Sequence, residues 1–235
     1  MDRKFFLIAV AGGRGSRMGS DIPKQFLPLK GKAVLERTIS RFAEAFPGLS
    51  VITVLPKEHI STWDSYCSAR GFAVRQSMVP GGITRFHSVR AALARVPYGA
   101  VVAIHDGVRP LVSVSLLRRM AERMESVRAL VPVTPVTDTL KLLEVAADGS
   151  LVTAPEPDPL RSRYYAAQTP QMFLSEDIKA AYEAPFDPSF TDDASVARRN
   201  NIPLSYIEGE RYNIKITTPE DLVLAEAVLD HLIPE

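Results

Sequence analysis

Apolar runs alternate with stretches of helical periodicity along most of this chain. Continuous apolar runs are typical of strands buried on both faces of a sheet, and they predict strands at residues 5–10, 49–55, 73–79, 100–104 and 129–133. Between them, apolar side chains recur at helical spacing, which predicts helices at residues 35–46, 59–70, 89–96 and 116–124. This alternation predicts an α/β protein with a twisted, mostly parallel sheet and helices on both faces.

The alternation breaks at about residues 137–163. This stretch contains Pro155, Pro157 and Pro159 and has weak periodicity, so we exclude it from the central sheet. Irregular insertions of this length are usually functional or form interactions. We therefore predict a protruding arm here and treat residues 1–235 as one domain.

The pattern of strands and helices resumes after the arm. Strands are predicted at residues 164–167, 204–207 and 213–216, and a helix is predicted at 175–182. A last helix is predicted to begin at Pro219, a residue that favours the first helical position. Thr218 is its expected N-cap, and Asp221 completes a pattern similar to a capping box.

Composition limits the classes of function. Hydrophobic residues make up 46% of the chain and charged residues 23%, the balance of an ordinary soluble globular protein. The formal net charge of +1 gives no global attraction to nucleic acid or to an anionic membrane, so any anion site must be built locally. The single cysteine, Cys67, suits a reducing compartment. Four scattered histidines argue against a zinc site.

The N-terminal apolar run has two interpretations. It follows Arg3 and Lys4, as in a short signal peptide, but it stops at Gly12 and Gly13 without a cleavage motif. A buried first strand is the better interpretation. No apolar stretch approaches the roughly 20 residues that span a bilayer. We therefore expect a cytoplasmic protein.

A glycine-rich loop, AGGRGSRM at residues 11–18, directly follows the first predicted strand. Ligands of open α/β sheets bind at the carboxyl ends of strands, and glycines let backbone N–H groups approach a phosphate closely. A tight turn alone does not require three glycines with interleaved arginines. The spacing does not fit a dinucleotide fingerprint, because Met18 occupies its last glycine position, and it lacks the Gly-Lys-Ser/Thr ending of a P-loop. Arg17 and Lys24 can both converge on a triphosphate.

This loop and the Pro-Lys-Gln segment at residues 23–25 resemble the signature of the pyrophosphorylase-type cytidylyltransferases. The whole ordered set is most similar to the 2-C-methyl-D-erythritol 4-phosphate cytidylyltransferase family and covers the chain nearly end to end. The later motifs are GG at 81–82, RFHSV at 85–89, HDGVRP at 105–110, DT at 138–139, Arg161, QTPQ at 168–171, TDDAS at 191–195 and NIKIT at 213–217. Each motif is modest alone, but their order is specific.

The resemblance implies a Rossmann-like fold of the nucleotide-diphospho-sugar transferase type, with a protruding β-arm and a homodimer with shared sites. It implies that a phosphate oxygen of methylerythritol phosphate attacks the α-phosphorus of CTP and releases pyrophosphate, with Mg²⁺ as the cofactor. The product would be CDP-methylerythritol, an intermediate of non-mevalonate isoprenoid biosynthesis. Because two anions must meet, such catalysis depends mostly on positioning and charge neutralisation.

The same resemblance assigns the expected site residues to three groups. The catalytic group stabilises the transferred phosphates or positions the acceptor phosphate, and comprises Arg17, Lys24, Arg161 and Lys215. The nucleotide-binding group comprises Ala11, Gly12, Gly13, Gly15, Gly81, Gly82, Ser88 and Asp106, the last also as the metal ligand. The acceptor-binding group comprises Arg109, Thr139, Thr169 and Thr191.

Three of these positions have a physical argument and an alternative. Asp106 ends a predicted buried strand, where a magnesium-binding carboxylate is expected, although an Asp also caps turns. Lys215 falls in a predicted strand, where an unpaired buried lysine is costly and a phosphate partner would remove that cost. Thr191 precedes two aspartates as a helix N-cap does, so its hydroxyl has two equally good interpretations.

Two further residues affect the interpretation of the site. His105 has no metal-like partner in the sequence, and we interpret it as structural. Ile83 follows the second glycine of the 81–82 pair, where related sequences often carry an acidic or polar residue. This departure puts base recognition through that side chain in doubt.

Two other functions compete with this hypothesis. A ribitol 5-phosphate cytidylyltransferase would share most of these motifs, and the arm would distinguish the two acceptors. A non-catalytic nucleotide-binding regulator could use the same fold, because fold alone does not give function. The joint presence of Arg17, Lys24, Asp106 and Lys215 favours an enzyme over a regulator.

Overall fold

The computed structural model describes residues 3–13 and 22–231. Its strands, in chain order, are β1 (Phe5–Val10), β2 (Pro28–Leu29), β3 (Lys32–Ala33), β4 (Ser50–Leu55), β5 (Gln76–Pro80), β6 (Val101–Asp106), β7 (Ala129–Pro135), β8 (Leu143–Val145), β9 (Leu151–Thr153), β10 (Tyr165–Ala167), β11 (Gln171–Leu174) and β12 (Ser205–Glu208). Its α-helices are α1 (Val34–Ala45), α2 (Ile60–Arg70), α3 (Arg85–Leu93), α4 (Val114–Arg123), α5 (Ser175–Ala181), α6 (Asp193–Arg199) and α7 (Pro219–His231).

Eight of these strands form one central sheet. Seven lie in the order β10–β7–β11–β6–β1–β4–β5, and β12 pairs with β7. The pairs β6–β1, β1–β4, β4–β5 and β12–β7 are parallel, whereas β11 and β10 run antiparallel to their neighbours. The predicted α/β class with a mostly parallel sheet is confirmed.

Helices cover both faces of the sheet. Successive side chains of a strand point to opposite faces, so neighbouring residues of one strand pack against different helices. Leu7 of β1 packs in a core with Phe42 of α1 and Leu116 of α4. Its neighbour Ile8 packs in a second core, with Val89 of α3 and residues of α5 and α6. β1 and β6 are thereby enclosed on both faces, as their continuous apolar runs predict.

A smaller third core lies under α7. Ala225 and Leu229 of this helix pack with Leu29, Val108 and Ile216. The last helix begins at Pro219 as predicted, and the Asp221 carboxylate accepts a hydrogen bond from the Thr218 N–H at 2.9 Å. This core fixes the 213–217 segment against the end of β6, where the candidate site lies.

The arm is a separate element. β8 and β9 form a two-stranded antiparallel sheet of their own, and a 3-10 turn follows at Arg161–Arg163. Val145 and Leu151 of this hairpin are 72% and 67% exposed. The predicted position of this stretch outside the central sheet is confirmed.

Some predicted elements differ from the structure. Residues 213–216 are not a strand: the Ile216 N–H bonds to the Val108 carbonyl, and the Ile214 N–H bends back to the Tyr212 carbonyl. The alternating Ile214 and Ile216 imitate a strand pattern but serve the core beneath α7. α3 begins four residues before the predicted position, at Arg85, because the Thr84 hydroxyl caps its N-terminus. β11 and α6 were not predicted. With 4 and 7 residues, they are too short for the spacing of their apolar side chains to establish a period.

In the part of the chain that the structure describes, no helix combines the length and apolar character needed to cross a membrane. The longest helix of this part is α7, with 13 residues.

Candidate active site

A cavity of about 310 Å³ opens at the carboxyl ends of β1 and β6. This is the edge where ligands of open α/β sheets bind. Most of the predicted nucleotide-binding residues line it, together with two predicted catalytic lysines: Ala11, Gly12, Gly13, Lys24, Gly82, Ser88, Asp106 and Lys215. Gly15 and Arg17 lie outside the described residues.

Backbone hydrogen bonds fix the start of the glycine loop. The Ala11 N–H donates to the Val54 carbonyl at 2.9 Å, and the Gly107 N–H donates to the Val10 carbonyl at 2.8 Å. A Cβ at Gly107 would lie 2.9 Å from the Ala11 Cβ, so glycine permits this close approach. The ends of β1 and β6 are therefore held side by side, and the residues that follow β1 line the same cavity as Asp106.

The glycine pair Gly81 and Gly82 belongs to a second wall of the cavity, in which Gly82 lines the space. The Gly81 N–H donates to the Leu55 carbonyl at 2.8 Å, and the Gly82 N–H donates to the Ser88 hydroxyl at 3.0 Å. The Ser88 hydroxyl in turn donates to the Thr84 carbonyl at 3.0 Å. Ser88 thus closes the loop onto the first turn of α3. Ile83, at the tip, is 96% exposed and also lines the cavity.

Asp106 lies within a cluster of three cations. Its carboxylate is 3.0 Å from Lys215 Nζ, 3.3 Å from Arg109 Nε and 3.8 Å from Arg85 Nε. Burial alone would raise the pKa of Asp106, but the charges of Arg85, Lys215 and Arg109 outweigh burial and hold the pKa well below its usual range. The carboxylate is therefore ionised at any physiological pH.

Arg85 connects this cluster to a buried acid. Its guanidinium forms a bidentate pair with the fully buried Asp193, at 2.7 and 2.6 Å, and Tyr182 donates to the same carboxylate at 2.6 Å. Burial would lower the pKa of Arg85, but Asp193 and Asp106 raise it. Such bidentate pairs fix orientation as well as charge.

Arg85 and Asp193 belong to the RFHSV and TDDAS motifs, but neither was expected to be a site residue. The two residues are 108 positions apart. The available signal was an arginine one residue after a helix N-cap that follows two glycines.

Lys215 is not buried in a strand, contrary to the prediction. The residue lies in an irregular segment, and its side chain is 41% exposed. Its partner is the Asp106 carboxylate, which satisfies the charge without a phosphate. Arg109 is also engaged, because it donates to the Asn213 carbonyl at 2.7 Å besides its contact with Asp106.

His105 and Thr169 lie beside Asp106. His105 Nε2 is 3.0 Å from the Arg109 carbonyl oxygen, and burial lowers the pKa of His105 to about 4, so the imidazole is neutral at pH 7. The Thr169 hydroxyl accepts a hydrogen bond from the Asp106 N–H at 3.1 Å. Thr169, a predicted acceptor-binding residue, thus contacts the backbone of the residue at the centre of the cation cluster.

Other predicted acceptor-binding residues do not line this cavity within the described part of the chain. Thr139 and Arg161 are exposed on the arm, where Arg161 donates to the Thr137 carbonyl at 2.6 Å. Thr191 lines a separate groove of about 860 Å³ that also includes Arg163 and residues of β10 and β12.

The N-cap interpretation of Thr191 is wrong. Asp192 caps α6, because its carboxylate accepts from the Ser195 N–H at 2.8 Å and Ser195 completes a capping box. The Thr191 side chain therefore does not cap this helix.

The site has the features of an α/β nucleotidyltransferase. These are a glycine-rich loop suited to phosphate, a carboxylate at the end of a central strand and convergent cations. The sequence profile of the 2-C-methyl-D-erythritol 4-phosphate cytidylyltransferase family matches residues 5–231. The chain belongs to this family.

Individual relatives agree with the profile. The enzyme of this name from Bacteroides thetaiotaomicron is 44% identical over 223 residues, which cover 95% of this chain and 98% of that protein. The one from Porphyromonas gingivalis strain W83 is 43% identical over 230 residues, which cover 97% and 99%.

Solved structures agree as well. The 4-diphosphocytidyl-2C-methyl-D-erythritol synthase of Anaerococcus prevotii superposes with a TM-score of 0.78 at 26% identity, covering 97% of this chain and 99% of that one. The 2-C-methyl-D-erythritol 4-phosphate cytidylyltransferase of Thermus thermophilus gives 0.71 at 30% identity, with the same coverage.

The glycine wall predicts a difference between two neighbouring substitutions. In Gly82→Ala the new Cβ would lie 2.5 Å from the His87 Cβ, whereas in Gly81→Ala the nearest atom is the Ser88 oxygen at 3.4 Å, an ordinary contact. We expect Gly82→Ala to lower the free energy of unfolding by about 1–3 kcal/mol through overpacking, and Gly81→Ala to change it by less than about 0.5 kcal/mol. Urea unfolding measures both, and equal effects would contradict this account of the loop.

Proposed function

We propose that this chain transfers the cytidylyl group of CTP to 2-C-methyl-D-erythritol 4-phosphate, and that the nucleotide binds in the cavity at the ends of β1 and β6. The product is CDP-methylerythritol, in non-mevalonate isoprenoid biosynthesis. The observation that carries the site assignment is the Asp106 carboxylate, which Arg85, Arg109 and Lys215 contact and which lines the same cavity as Lys24 and the start of the glycine loop.

The reaction joins two anions. A phosphate oxygen of the acceptor forms a bond to the α-phosphorus of CTP, and the bond from that phosphorus to the bridging oxygen breaks as pyrophosphate leaves with the electron pair. Lys24 lines the cavity and would stabilise the negative charge that develops on the phosphates. Arg17 would share this role, as the family resemblance implies.

The glycine walls would hold the two ends of the nucleotide. The backbone of Ala11, Gly12 and Gly13 follows β1, where N–H groups can approach the phosphates. The backbone of Gly81 and Gly82 would read the cytosine. Ser88 would contribute by holding this loop, because its hydroxyl already bonds to the Gly82 N–H and the Thr84 carbonyl.

Ile83 would contribute to nucleotide binding in a different way. Its side chain lines the cavity, is almost fully exposed and has no hydrogen-bonding atom. We propose that it covers the base or the ribose by apolar contact, while the specificity for cytosine comes from the backbone of the loop.

The site fits a magnesium ion that is bound mostly by the substrate. The described residues contain no group of three or more His, Cys, Asp or Glu side chains that could hold a metal ion. Mg²⁺ commonly uses one or two carboxylates together with substrate phosphates and water. The ionised Asp106 would be that carboxylate, and the ion would neutralise phosphate charge. Lys215, whose Nζ lies 3.0 Å from that carboxylate, would hold the acceptor phosphate beside the ion.

The acceptor end of the site would include residues of two chains. Arg109 and Thr169 lie beside Asp106, whereas Thr139 and Arg161 lie on the arm and do not line the cavity of their own chain. The hairpin of the arm exposes Val145 and Leu151, which a second chain could cover. We propose a homodimer in which each arm brings Thr139 and Arg161 to the cavity of its partner.

Pyrophosphate release from CTP tests this function directly. With Mg²⁺, we expect rapid release with methylerythritol phosphate and at least roughly a hundredfold slower release with ribitol 5-phosphate, since a misplaced acceptor loses the positioning effect. Preference for ribitol 5-phosphate would support the alternative acceptor, and CTP binding without turnover on either acceptor would support the regulator.

Lys24→Ala should lower turnover by about two to three orders of magnitude, the usual scale for loss of one preorganised charge donor.

The role of Asp106 as a metal ligand predicts a difference between two variants of the same ion pair. Asp106→Asn removes a negative ligand, so we expect turnover to fall and the half-saturating Mg²⁺ concentration to rise by roughly tenfold. Lys215→Met breaks the same ion pair but keeps the carboxylate, so it should raise KM for the acceptor without raising the Mg²⁺ requirement. Steady-state kinetics over a Mg²⁺ titration separate the two, and an unchanged titration in Asp106→Asn would remove Asp106 as a ligand.

The shared site predicts complementation between two damaged chains. Arg161→Ala and Lys24→Ala should each be nearly inactive alone. If the two residues of one site come from different chains, each heterodimer has one intact site and one doubly damaged site. Random exchange makes about half of the dimers heterodimers, so activity should recover to about a quarter of the wild-type value.

The matched control for this experiment mixes Lys24→Ala with Asp106→Asn. Both residues line the cavity of one chain, so every heterodimer site stays damaged and no activity should return. Failure of Arg161→Ala to rescue Lys24→Ala, with subunit exchange verified by mass spectrometry, would place Arg161 at the site of its own chain.

A further inference from the structure

The short turn that carries Lys24 depends on its surroundings. Lys24–Phe26 is a single 3-10 turn, with backbone bonds from Phe26 N–H to the Pro23 carbonyl at 2.8 Å and from Leu27 N–H to the Lys24 carbonyl at 3.3 Å. Hydrogen-bond geometry in 3-10 turns is poorer than in α-helices. The position of Lys24 therefore depends on how the turn packs against the rest of the protein.

Phe26 attaches this turn to α2 through aromatic contacts. Its ring stacks on Trp63, with centroids 5.9 Å apart and an interplanar angle of 18°, and meets His59 edge-on at 5.7 Å. Trp63 in turn stacks on Tyr66, with centroids 5.2 Å apart. Phe26, Trp63 and Tyr66 form an aromatic column, and the central Trp63 is completely buried.

The inner part of this aromatic column is fixed to the central sheet. Trp63 Nε1 donates to the Gln76 side-chain carbonyl at 3.0 Å, and the Thr53 hydroxyl donates to the same oxygen at 2.7 Å. Gln76 begins β5, and Thr53 lies in β4. The indole therefore cannot rotate or shift without breaking a buried hydrogen bond, which is costly.

A second attachment holds the segment that follows the turn. The Tyr66 hydroxyl accepts a hydrogen bond from the Ala33 N–H at 2.8 Å and donates to the Glu36 carboxylate at 2.5 Å. Phe26 and Ala33 thus bind two neighbouring residues on one face of α2. The chain between them includes β2 and β3. Contacts with α2 therefore hold both ends of the segment that runs from the Lys24 turn to the start of α1.

We propose that Phe26 and Trp63 are positioning residues for the cytidylyl transfer. Their stack sets where Lys24 stands relative to Asp106, because Lys24 lies on the turn and Asp106 ends β6 of the sheet to which the column is fixed. The two residues act through Lys24, so the inference rests on the proposed role of that lysine. Removing the stack would displace the ammonium group while leaving every group that meets the substrate in the chain.

Phe26→Leu removes the stack with little change in apolar character. We expect kcat to fall by about tenfold and KM for the acceptor to change by less than about twofold, because a displaced cation costs transition-state stabilisation rather than acceptor binding. The matched control is Phe72→Leu. Phe72 also contacts Trp63, edge-on at 6.2 Å, and is partly buried like Phe26, but it follows α2 and does not belong to the Lys24 turn. Its kcat should stay within about twofold of wild type.

A double-mutant cycle separates positioning from a general loss of structure. If Phe26 acts through Lys24, adding Phe26→Leu to Lys24→Ala should change kcat by less than about twofold, because the group being positioned is gone. Trp63→Phe keeps a ring against Phe26 but loses the hydrogen bond to Gln76 that fixes the column, so its kcat should fall when Lys24 is present and change by less than about twofold in the Lys24→Ala background. If Phe26→Leu does not give a folded protein by circular dichroism, Phe26→Met tests the same stack.

The outcomes that overturn the inference differ from those that overturn the proposed function. A full tenfold cost of Phe26→Leu in the impaired Lys24→Ala background, or equal losses in Phe26→Leu and Phe72→Leu, would reduce the aromatic column to a structural element. Near-normal turnover in Lys24→Ala itself would remove the lysine from the mechanism and the positioning role with it.

Discussion

The site depends on one buried carboxylate that remains ionised. Asp106 lies at the end of a strand enclosed by two cores, and Arg85, Lys215 and Arg109 keep its pKa low against the effect of burial. These cations come from α3, from the segment before α7 and from the loop after β6. Removing one partner of a buried charge pair usually costs far more than the complete pair contributes. The carboxylate therefore links the position of three separate elements to the central sheet.

The same cluster makes the cavity receptive to anions in a protein with almost no net charge. Arg85, Arg109, Lys215 and Lys24 outnumber the carboxylates of Asp106 and Asp193 around it. Phosphates entering this space would compete for cations that are already oriented, which spares reorganisation during the reaction. Under the proposed function, these ion pairs are the arrangement without substrate, and the substrate phosphates would take over part of the negative charge that Asp106 presents to Lys215.

Much of this fold could be predicted from sequence, because β1 and β6 are continuous apolar runs and both lead directly into motifs. What could not be predicted depends on contacts between distant segments. The pair of Arg85 with Asp193 joins residues 108 positions apart, and Lys215 is held by a core beneath α7 rather than by a strand. The N-cap of α6 is Asp192, one residue after the expected Thr191, because Asp192 and Ser195 form a capping box. The first two facts have no local pattern of their own, whereas the cap is a local choice between two adjacent residues.

A crystal structure with CTP and Mn²⁺ in place of Mg²⁺ tests the central role of Asp106 most directly, because the anomalous signal of manganese locates the metal. The account predicts a manganese ion coordinated by the Asp106 carboxylate and the nucleotide phosphates, with Lys215 Nζ moved away from its position 3.0 Å from that carboxylate. A structure in which the nucleotide and manganese are bound, the Asp106–Lys215 pair is intact and the metal contacts no atom of Asp106 would contradict it.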